Sequence, residues 1–386
     1  MTERTQKRRY PREELTNAMD EIFGGELHAQ RLASLRDGVD GALHASQVGV
    51  RAIGRGLAVA NGLCPKSAIK QVDRLLSNPN MPYQKMFSLW IRFVLAQRDE
   101  LVVNFDWTEF PESDQSMLFL GLQTAHGRST PLLWKTFTTS QLKDQRNDHE
   151  DELLVLLAEL LDEGKKVTVV ADRGFSDTKL FSFLSEELNF HYIIRIKKNT
   201  YIFDEKDKKL HADEWLGKNG RMKTVKNARV TEQKQPVACF VGVKDKNMKE
   251  PWCLVSSRDD LKGSEVKKLY GKRFTIEESF RDLKNHRYGM GLEQVQIKKN
   301  ERRDALTWLA VLAHTLLTLL GKAGQQAGLE SFLGASRKGE FSLFRMGQML
   351  FELMPRMEEK RLRALSAHFE KLLLSHTLFS EIVGVL

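Results

Sequence analysis

The sequence predicts an α/β fold in which a central sheet lies between helical regions at the two ends of the chain. Apolar residues recur with helical spacing up to about residue 95 and again beyond residue 300. Between these regions, short and continuously apolar runs are separated by polar turns, which is the pattern of buried strands. At 386 residues, the chain is too long for one core and long enough for two or three domains.

The charge balance favours a polyanionic partner. The chain has 60 Lys and Arg against 51 Asp and Glu, a net charge of +9, and its pI is near 9.3. Ribosomal and membrane-surface proteins share such an excess, so charge alone leaves these classes open. Cys64, Cys239 and Cys253 form no C-x-x-C pair. This argues against a disulfide framework or a zinc site and favours a reducing compartment.

No stretch of the sequence predicts export or membrane insertion. Residues Met1 to Leu15 are charged and lack the apolar core of a secretory signal. The longest apolar run, Ala305 to Gly321, is shorter than a comfortable membrane span and contains His314. We therefore expect a buried helix there, no membrane partner, and a cytoplasmic protein that associates with nucleic acid.

Residues 1–95 are predicted to form a helical region that is a candidate for DNA binding. One helix covers 46–59, a break follows at 60–65, and a second helix covers 66–76. Lys66, Lys70 and Arg74 stand four residues apart on the second helix. The pair is either a helix-turn-helix that reads DNA or an ordinary helical hairpin with a solvated basic face.

The middle of the chain predicts a mixed sheet. Strands are expected at 101–106, 117–122, 131–137, 166–172 and 192–196, with helices at about 148–163 and 177–188. The order β-β-β-α-β-α-β matches the ribonuclease-H-like plan of retroviral-integrase-type domains. We assign residues 96–197 and 263–325 to this catalytic core. A basic, β-rich insertion occupies 198–262, with strands at 225–230, 237–243 and 252–256. A helical C-terminal region, the candidate for dimerisation, occupies 326–386.

The stretch from Tyr270 to Lys284 is predicted to be one amphipathic helix. It has no proline, and no glycine after Gly271, so a helix can run through it. At about 100° per residue, Tyr270, Arg273, Glu277 and Lys284 fall on one line. One carboxylate therefore lies among cations and a tyrosine. The alternative is a solvated helix with an Arg273–Glu277 pair worth a few tenths of a kcal/mol, roughly 0.2–0.5.

The spacing Y-x2-R-x3-E-x6-K at these four residues resembles the signature of bacterial cut-and-paste DDE transposases of insertion-sequence family four. Two upstream stretches match that family in the required order, Phe-Asp106-Trp-Thr and Ala-Asp172-Arg-Gly-Phe. The resemblance implies that Asp106, Asp172 and Glu277 form the catalytic and metal-binding trio. The first two residues also lie at predicted strand ends, where an aspartate commonly serves as a turn or helix cap instead.

A carboxylate trio suits divalent-metal chemistry. Hydrolysis of a phosphodiester needs an ionised nucleophile and charge neutralisation on the attacking and leaving oxygens, which two Mg²⁺ ions supply. Magnesium prefers oxygen ligands and keeps several waters, and we expect that Mn²⁺ can substitute. In the family's scheme Asp106 bridges both ions, Asp172 holds one and Glu277 the other. Without metal, we expect the clustered carboxylates to repel one another, which would leave them loosely held or partly protonated.

The resemblance also assigns DNA contacts. Arg273 and Lys284 are expected to hold phosphates and Tyr270 to donate its hydroxyl to another. Trp252 is expected to stack on a base flipped from the duplex, although a buried strand tryptophan is the alternative. Arg281 lies outside the signature and is either a DNA contact or a solvated arginine.

The function implied is that of a DNA transposase in the bacterial cytoplasm, associated with the nucleoid. It would bind the terminal inverted repeats of an element, excise the element through hairpin ends and join it to target DNA. Its partners would be double-stranded DNA, at the element ends and the target, and a second copy of the chain. Two alternatives stay open: a ribonuclease-H-like nuclease without strand transfer, and a domesticated DNA-binding protein with a dead site.

Overall fold

The computed structural model describes residues 18–95, 98–217, 220–246 and 248–374. The charged stretch from Met1 to Leu15, which bears on export, lies outside these residues. So does the end of the C-terminal region, residues 375–386.

The described residues before the sheet are largely helical, as the helical periodicity predicted. Residues 18–23 are helical, and they are followed by α1 (Ala29–Ala45), α2 (Val50–Asn61), α3 (Pro65–Leu76) and α4 (Tyr83–Leu95). Helix α3 begins with a proline at its first turn, where the missing N–H has no intrahelical partner to lose. Helix α4 lies on the sheet because the indole of Trp90, which is fully buried, donates to the Pro131 carbonyl (2.7 Å).

In the described residues, ten strands form one mixed sheet. They are β1 (Glu100–Phe110), β2 (Gln115–Gln123), β3 (Ser129–Thr138), β4 (Lys166–Ala171), β5 (His191–Arg195), β6 (Tyr201–Phe203), β7 (Lys209–His211), β8 (Lys223–Val230), β9 (Gln235–Val243) and β10 (Trp252–Ser256). The order across the sheet is β3-β2-β1-β4-β5-β10-β9-β8-β6-β7. Strands β1, β4 and β5 are parallel, and β2 and β3 run antiparallel beside β1. This half of the sheet is consistent with the ribonuclease-H-like fold.

The inserted residues extend the same sheet. Strand β10 pairs antiparallel with β5, and β9, β8, β6 and β7 follow it outward. Strands β8, β9 and β10 correspond to the three strands expected in the insertion, whereas β6 and β7 have three residues each and were not predicted. Runs this short carry no measurable periodicity. The proposed domain boundaries stay a prediction.

The remaining helices are α5 (Arg146–Leu160), α6 (Thr178–Ser182), α7 (Gly263–Gly271), α8 (Phe274–Lys284), α9 (Asn300–Gln326), α10 (Leu343–Leu353) and α11 (Glu359–Leu374). Helix α9 is long and apolar enough to cross a membrane, but 94% of its most apolar window is buried inside the protein. It crosses α10 so closely that a Cβ atom on Gly321 would lie 1.8 Å from the Leu343 carbonyl oxygen. The longest apolar run is therefore a core helix around which the C-terminal half packs.

The expectation of a single helix from Tyr270 to Lys284 is wrong. Helix α7 ends at Gly271 and α8 begins at Phe274, with a turn at Lys272 and Arg273 between them. Glycine costs about 1 kcal/mol in a helix interior, and Gly271 stands where the chain leaves α7. Tyr270 therefore belongs to a different helix from Glu277.

Candidate active site

Asp106 lies at the point where β1 continues beyond the end of its parallel neighbour, β4. The pairing of β1 with β4 ends at Phe105 and Ala171, while β1 continues to Phe110 in a hairpin with β2. The expectation that Asp106 ends its strand is therefore wrong by four residues, because the β2 partner keeps the chain extended. The side chain is one-fifth exposed, and its Oδ1 accepts from the Trp107 amide (2.9 Å).

Asp172 follows directly after β4, as predicted. Since Phe105 pairs with Ala171, the next residues on the two parallel strands are Asp106 and Asp172, which start from adjacent points at the sheet edge. The Asp172 carboxylate also accepts from the Gly174 amide (2.6 Å) and caps a short 3₁₀ turn. Asp172 therefore caps a turn, as the alternative interpretation expected, and it also lies at the candidate site.

Glu277 projects from the first turn of α8 and is about half exposed. Its Oε1 accepts from Arg273 Nη2 (2.6 Å), and Arg273 Nη1 donates to Asp106 Oδ2 (3.0 Å). A buried guanidinium therefore bridges two of the three predicted carboxylates, although they stand far apart in the sequence. The Arg273 side chain is only 8% exposed.

Burial raises the pKa of Asp106 to about 6. Arg273 opposes this shift, whereas the neighbouring charges of Asp172 and Glu277 add to it. The Asp106 carboxyl is therefore protonated more readily than an ordinary aspartate, chiefly because it is buried and in smaller part because of its two acidic neighbours.

A buried polar network fixes α8 to the sheet. Asn104, two residues before Asp106 on β1, donates to Ser129 Oγ (2.7 Å) and Thr275 Oγ1 (3.2 Å). Ser129 and Thr275 also share a hydrogen bond (2.8 Å), and Gln123 donates to Asn104 Oδ1 (2.6 Å). Residues two apart on a strand face the same side, so the strand that carries Asp106 holds the helix that carries Glu277. Sequence reasoning missed this network because its members come from four separate elements.

The donor set at this edge fits a hard divalent cation in type, since all three side chains offer carboxylate oxygens. In the described part of the chain, no group of three or more His, Cys, Asp or Glu side chains is close enough to hold a metal ion as the side chains stand. As the side chains stand, Arg273 occupies Oδ2 of Asp106 and Oε1 of Glu277.

Lys284 lies on α8 two turns after Glu277, but its ammonium is already occupied. It donates to the Glu109 carbonyl (2.6 Å) and Thr108 Oγ1 (3.3 Å), and it lies 3.5 Å from Glu293. Its side chain is 18% exposed. Arg281, one turn after Glu277, is exposed and pairs with Glu278, so both readings of Arg281 stay open.

Three aromatic rings cluster beside Arg273, whose guanidinium lies 5.0 Å from the Phe274 ring. Trp252, partly buried at the start of β10, contacts the Tyr270 ring edge-on with centroids 4.9 Å apart and lies 6.3 Å from the Phe274 ring. Tyr270 is 1% exposed, so in this conformation its hydroxyl faces the protein, and its predicted phosphate contact stays untested. Phe274 is 46% exposed, an unusual state for phenylalanine that sequence reasoning overlooked.

The three N-terminal cations point to solvent. Lys66, Lys70 and Arg74 are all exposed on α3, on the face opposite buried Val72 and Leu76. The structure thus presents the basic face that both alternatives for this region require.

Comparison with protein-family models matches residues 133–316 to the family described as "Transposase DDE domain". The matched segment runs from β3 into α9 and includes Asp172 and Glu277, while Asp106 precedes it. The match supports a DDE transposase, a class that acts on DNA in transposition and recombination and generally uses divalent metals. No curated protein matches the chain.

Proposed function

We propose that this chain is a Mg²⁺-dependent DDE transposase of the hairpin-forming, insertion-sequence-family-four type. The observation that carries the proposal is the pair of hydrogen bonds from Arg273 to Asp106 and Glu277, at a sheet edge that Asp172 shares. These three carboxylates were singled out by a family resemblance, and the transposase family match covers two of them.

The three carboxylates are the residues that would hold the metal. Bound divalent cations supply an ionised water nucleophile and offset charge on the attacking and leaving oxygens. Asp106 and Asp172 are anchored by backbone amides, so they provide the fixed part of the site. Glu277 is more exposed and belongs to a helix tied to the sheet by the Asn104 network, so it provides the third ligand from the opposite wall.

Arg273 is expected to change partners during the reaction. Without metal its guanidinium neutralises the two carboxylates; if Asp106 and Glu277 held a metal instead, the guanidinium would be free to donate to a DNA phosphate. Lys284 and Tyr270, by the same proposal, contact the backbone on either side after release from their internal partners.

Trp252 is proposed as the stacking platform for a flipped base. Its ring lies partly exposed between Tyr270 and Phe274, so a planar base can be added to an aromatic set that already exists. Stacking on an aromatic side chain returns roughly 1–3 kcal/mol per base, which offsets part of the unstacking cost.

The N-terminal helices are proposed to bind the terminal repeats through Lys66, Lys70 and Arg74. Two element ends must be held together for excision, so we also propose a homodimer on DNA, with the C-terminal helices as its contact.

The test incubates the purified protein and Mg²⁺ with a labelled duplex of the repeat that borders the gene, with Asp106→Ala as control. Hairpinned ends that the control lacks support the proposal. Nicks without hairpins would indicate a plain nuclease, and binding without cleavage a domesticated DNA-binding protein.

A further inference from the structure

A cleft of about 850 Å³ opens beyond the C-terminal end of α8. Its walls are the turn between β2 and β3, the end of α8 with the loop that follows it, helix α9, and residues 339–345, which run into the first turn of α10. The cleft is far larger than a single phosphate and is distinct from the aromatic set around Trp252.

Two cations in this cleft hydrogen-bond amides in place of carboxylates. Lys322 donates to Gln325 Oε1 (3.0 Å), and Arg345 donates to Gln348 Oε1 (3.3 Å). Among the described residues, no carboxylate is paired with either of them. Arg281 lines the same wall and is exposed, so three positive groups converge on one opening.

The acidic groups of the cleft are already satisfied. Asp282 accepts from Arg128 Nε (2.6 Å) and lies 3.5 Å from His314. Glu340 accepts from the amides of Ser336 (2.7 Å) and of the next residue. With Arg128, the cleft is lined by four cations against these two carboxylates, so its surplus charge is positive.

An exposed aromatic ring stands at the mouth. Tyr288 is 58% exposed, and the Arg345 guanidinium lies 5.9 Å from its ring. The loop that carries it is held in shape, since Asn285 Oδ1 accepts from the amides of Arg287 and Tyr288. A fixed aromatic among cations is the pattern of a nucleic-acid contact.

The cleft lies close to the carboxylates along one helix. Glu277 and Asn285 are eight residues apart, about 12 Å at 1.5 Å per residue. Consecutive base pairs of duplex DNA are separated by about 3.4 Å along the axis, so this distance corresponds to about three or four base pairs. A duplex whose axis ran from the carboxylates along α8 would reach this cleft.

We propose that this cleft binds the sugar–phosphate backbone of the same duplex that the carboxylates cut, about three or four base pairs from the cut. Lys322, Arg345 and Arg281 contact phosphates, and Tyr288 packs against a sugar or a base. The inference rests on the proposed function and adds a second DNA contact to it.

The test measures binding of the whole chain to a fluorescent 30-base-pair duplex by anisotropy between 50 and 200 mM KCl, without divalent metal. For Lys322→Gln with Arg345→Gln, we expect the slope of log affinity against log salt to fall by about 1.8, since each phosphate contact contributes about 0.9. The matched control is Lys206→Gln with Lys208→Gln, which removes the same charge from exposed positions in the turn between β6 and β7 and should leave the slope within about 0.5 of wild type.

A second measurement locates the DNA. Photo-reactive benzoylphenylalanine in place of Tyr288 should cross-link to the duplex, whereas the same group in place of Phe332, another exposed aromatic, should not. The charge-conserving variant Arg345→Lys should keep the wild-type slope of log affinity against log salt.

If Lys322→Gln with Arg345→Gln had the same slope as the control variant, or if position 288 gave no cross-link, the cleft would not be a DNA contact, and the proposed function would still stand. A wild-type protein that fails to bind the duplex at 50 mM KCl would overturn both.

Discussion

Arg273 joins the two walls of the candidate site. Its side chain is buried and donates hydrogen bonds to Asp106 on one side and to Glu277 on the other. The centroid of the Phe274 ring lies 5.0 Å from its guanidinium carbon. A buried charge of this kind persists only when it is paired. In the metal-free protein, the arginine therefore acts as the counter-ion of the carboxylates.

Arg273→Gln is expected to strengthen metal binding and weaken cleavage. Removal of a positive charge beside two ligands should tighten Mn²⁺ binding by about three- to tenfold, while DNA cleavage should fall about a hundredfold because a phosphate donor is lost. Isothermal titration with Mn²⁺ and a nicking assay measure the two effects. Weaker Mn²⁺ binding in the variant would contradict the proposed competition.

Glu150 offers a test of stability against pH. It is 8% exposed and accepts from the Trp107 indole (2.7 Å), and burial raises its pKa to about 7. A carboxyl whose pKa is higher in the folded than in the unfolded state favours folding when protonated, so its contribution is lost as pH rises from about 4.5 to about 7.

Glu150→Gln should remove this loss of folding stability and keep a side-chain oxygen that accepts from the Trp107 indole. We expect the variant to match the wild type near pH 4.5 and to be more stable by on the order of 2 kcal/mol at pH 8. Urea unfolding at both pH values measures the difference, and a gap of equal size at the two values would refute this assignment.

Trp252→Ala is expected to separate two steps of the proposed reaction. Nicking should persist within about threefold, because the residue touches none of the carboxylates, whereas hairpin yield should fall at least tenfold as a base stack worth about 1–3 kcal/mol is lost. Trp252→Phe is the matched control and should keep most hairpins. Equal loss of nicks and hairpins would argue against a stacking role.

At the scale of elements, the sequence predicted the strands of the core well because each is a short apolar run bounded by polar turns. It misjudged two boundaries that depend on partners. Strand β1 continues past Asp106 because β2 pairs with it, and the Tyr270 helix breaks at Gly271, where Trp252 packs against the preceding tyrosine. Neither partner is local in the sequence.

The site itself was predicted only in part. Asp106, Asp172 and Glu277 were found through a resemblance, and Arg273 was expected to bind DNA without any sign that it bridges carboxylates. The Asn104 network leaves no periodic signal in the sequence, because one polar residue in an apolar strand does not change the pattern by which the strand is predicted.

This network gives a prediction for helix α8. Thr275→Val should leave Asn104 and Ser129 short of a partner and cost about 1–3 kcal/mol of unfolding free energy. Because the helix that carries Glu277 loosens, kcat should fall more than KM rises. Thr275→Ser restores the hydroxyl and should recover kcat, and a serine variant as slow as the valine variant would rule out positioning through this hydroxyl.

At the scale of the whole molecule, one sheet carries both the candidate site and the insertion. Strand β5 pairs with β4 on one side and β10 on the other, so Trp252 is placed by the same hydrogen-bonded array that places Asp172. The arrangement explains how a residue eighty positions after Asp172 reaches the same edge. It also brings the N-terminal helices, through α1 and α9, onto the core that holds the carboxylates.

The central claim is that three distant carboxylates act as one metal-dependent site. Its most direct test compares Mg²⁺-dependent cleavage of a labelled repeat-end duplex by Asp106→Asn, Asp172→Asn and Glu277→Gln, with Glu150→Gln as a buried-carboxylate control. We predict that each of the three loses at least about a hundredfold in rate while the control stays within about threefold of wild type. Wild-type cleavage by any of the three, in folded protein, would contradict the account.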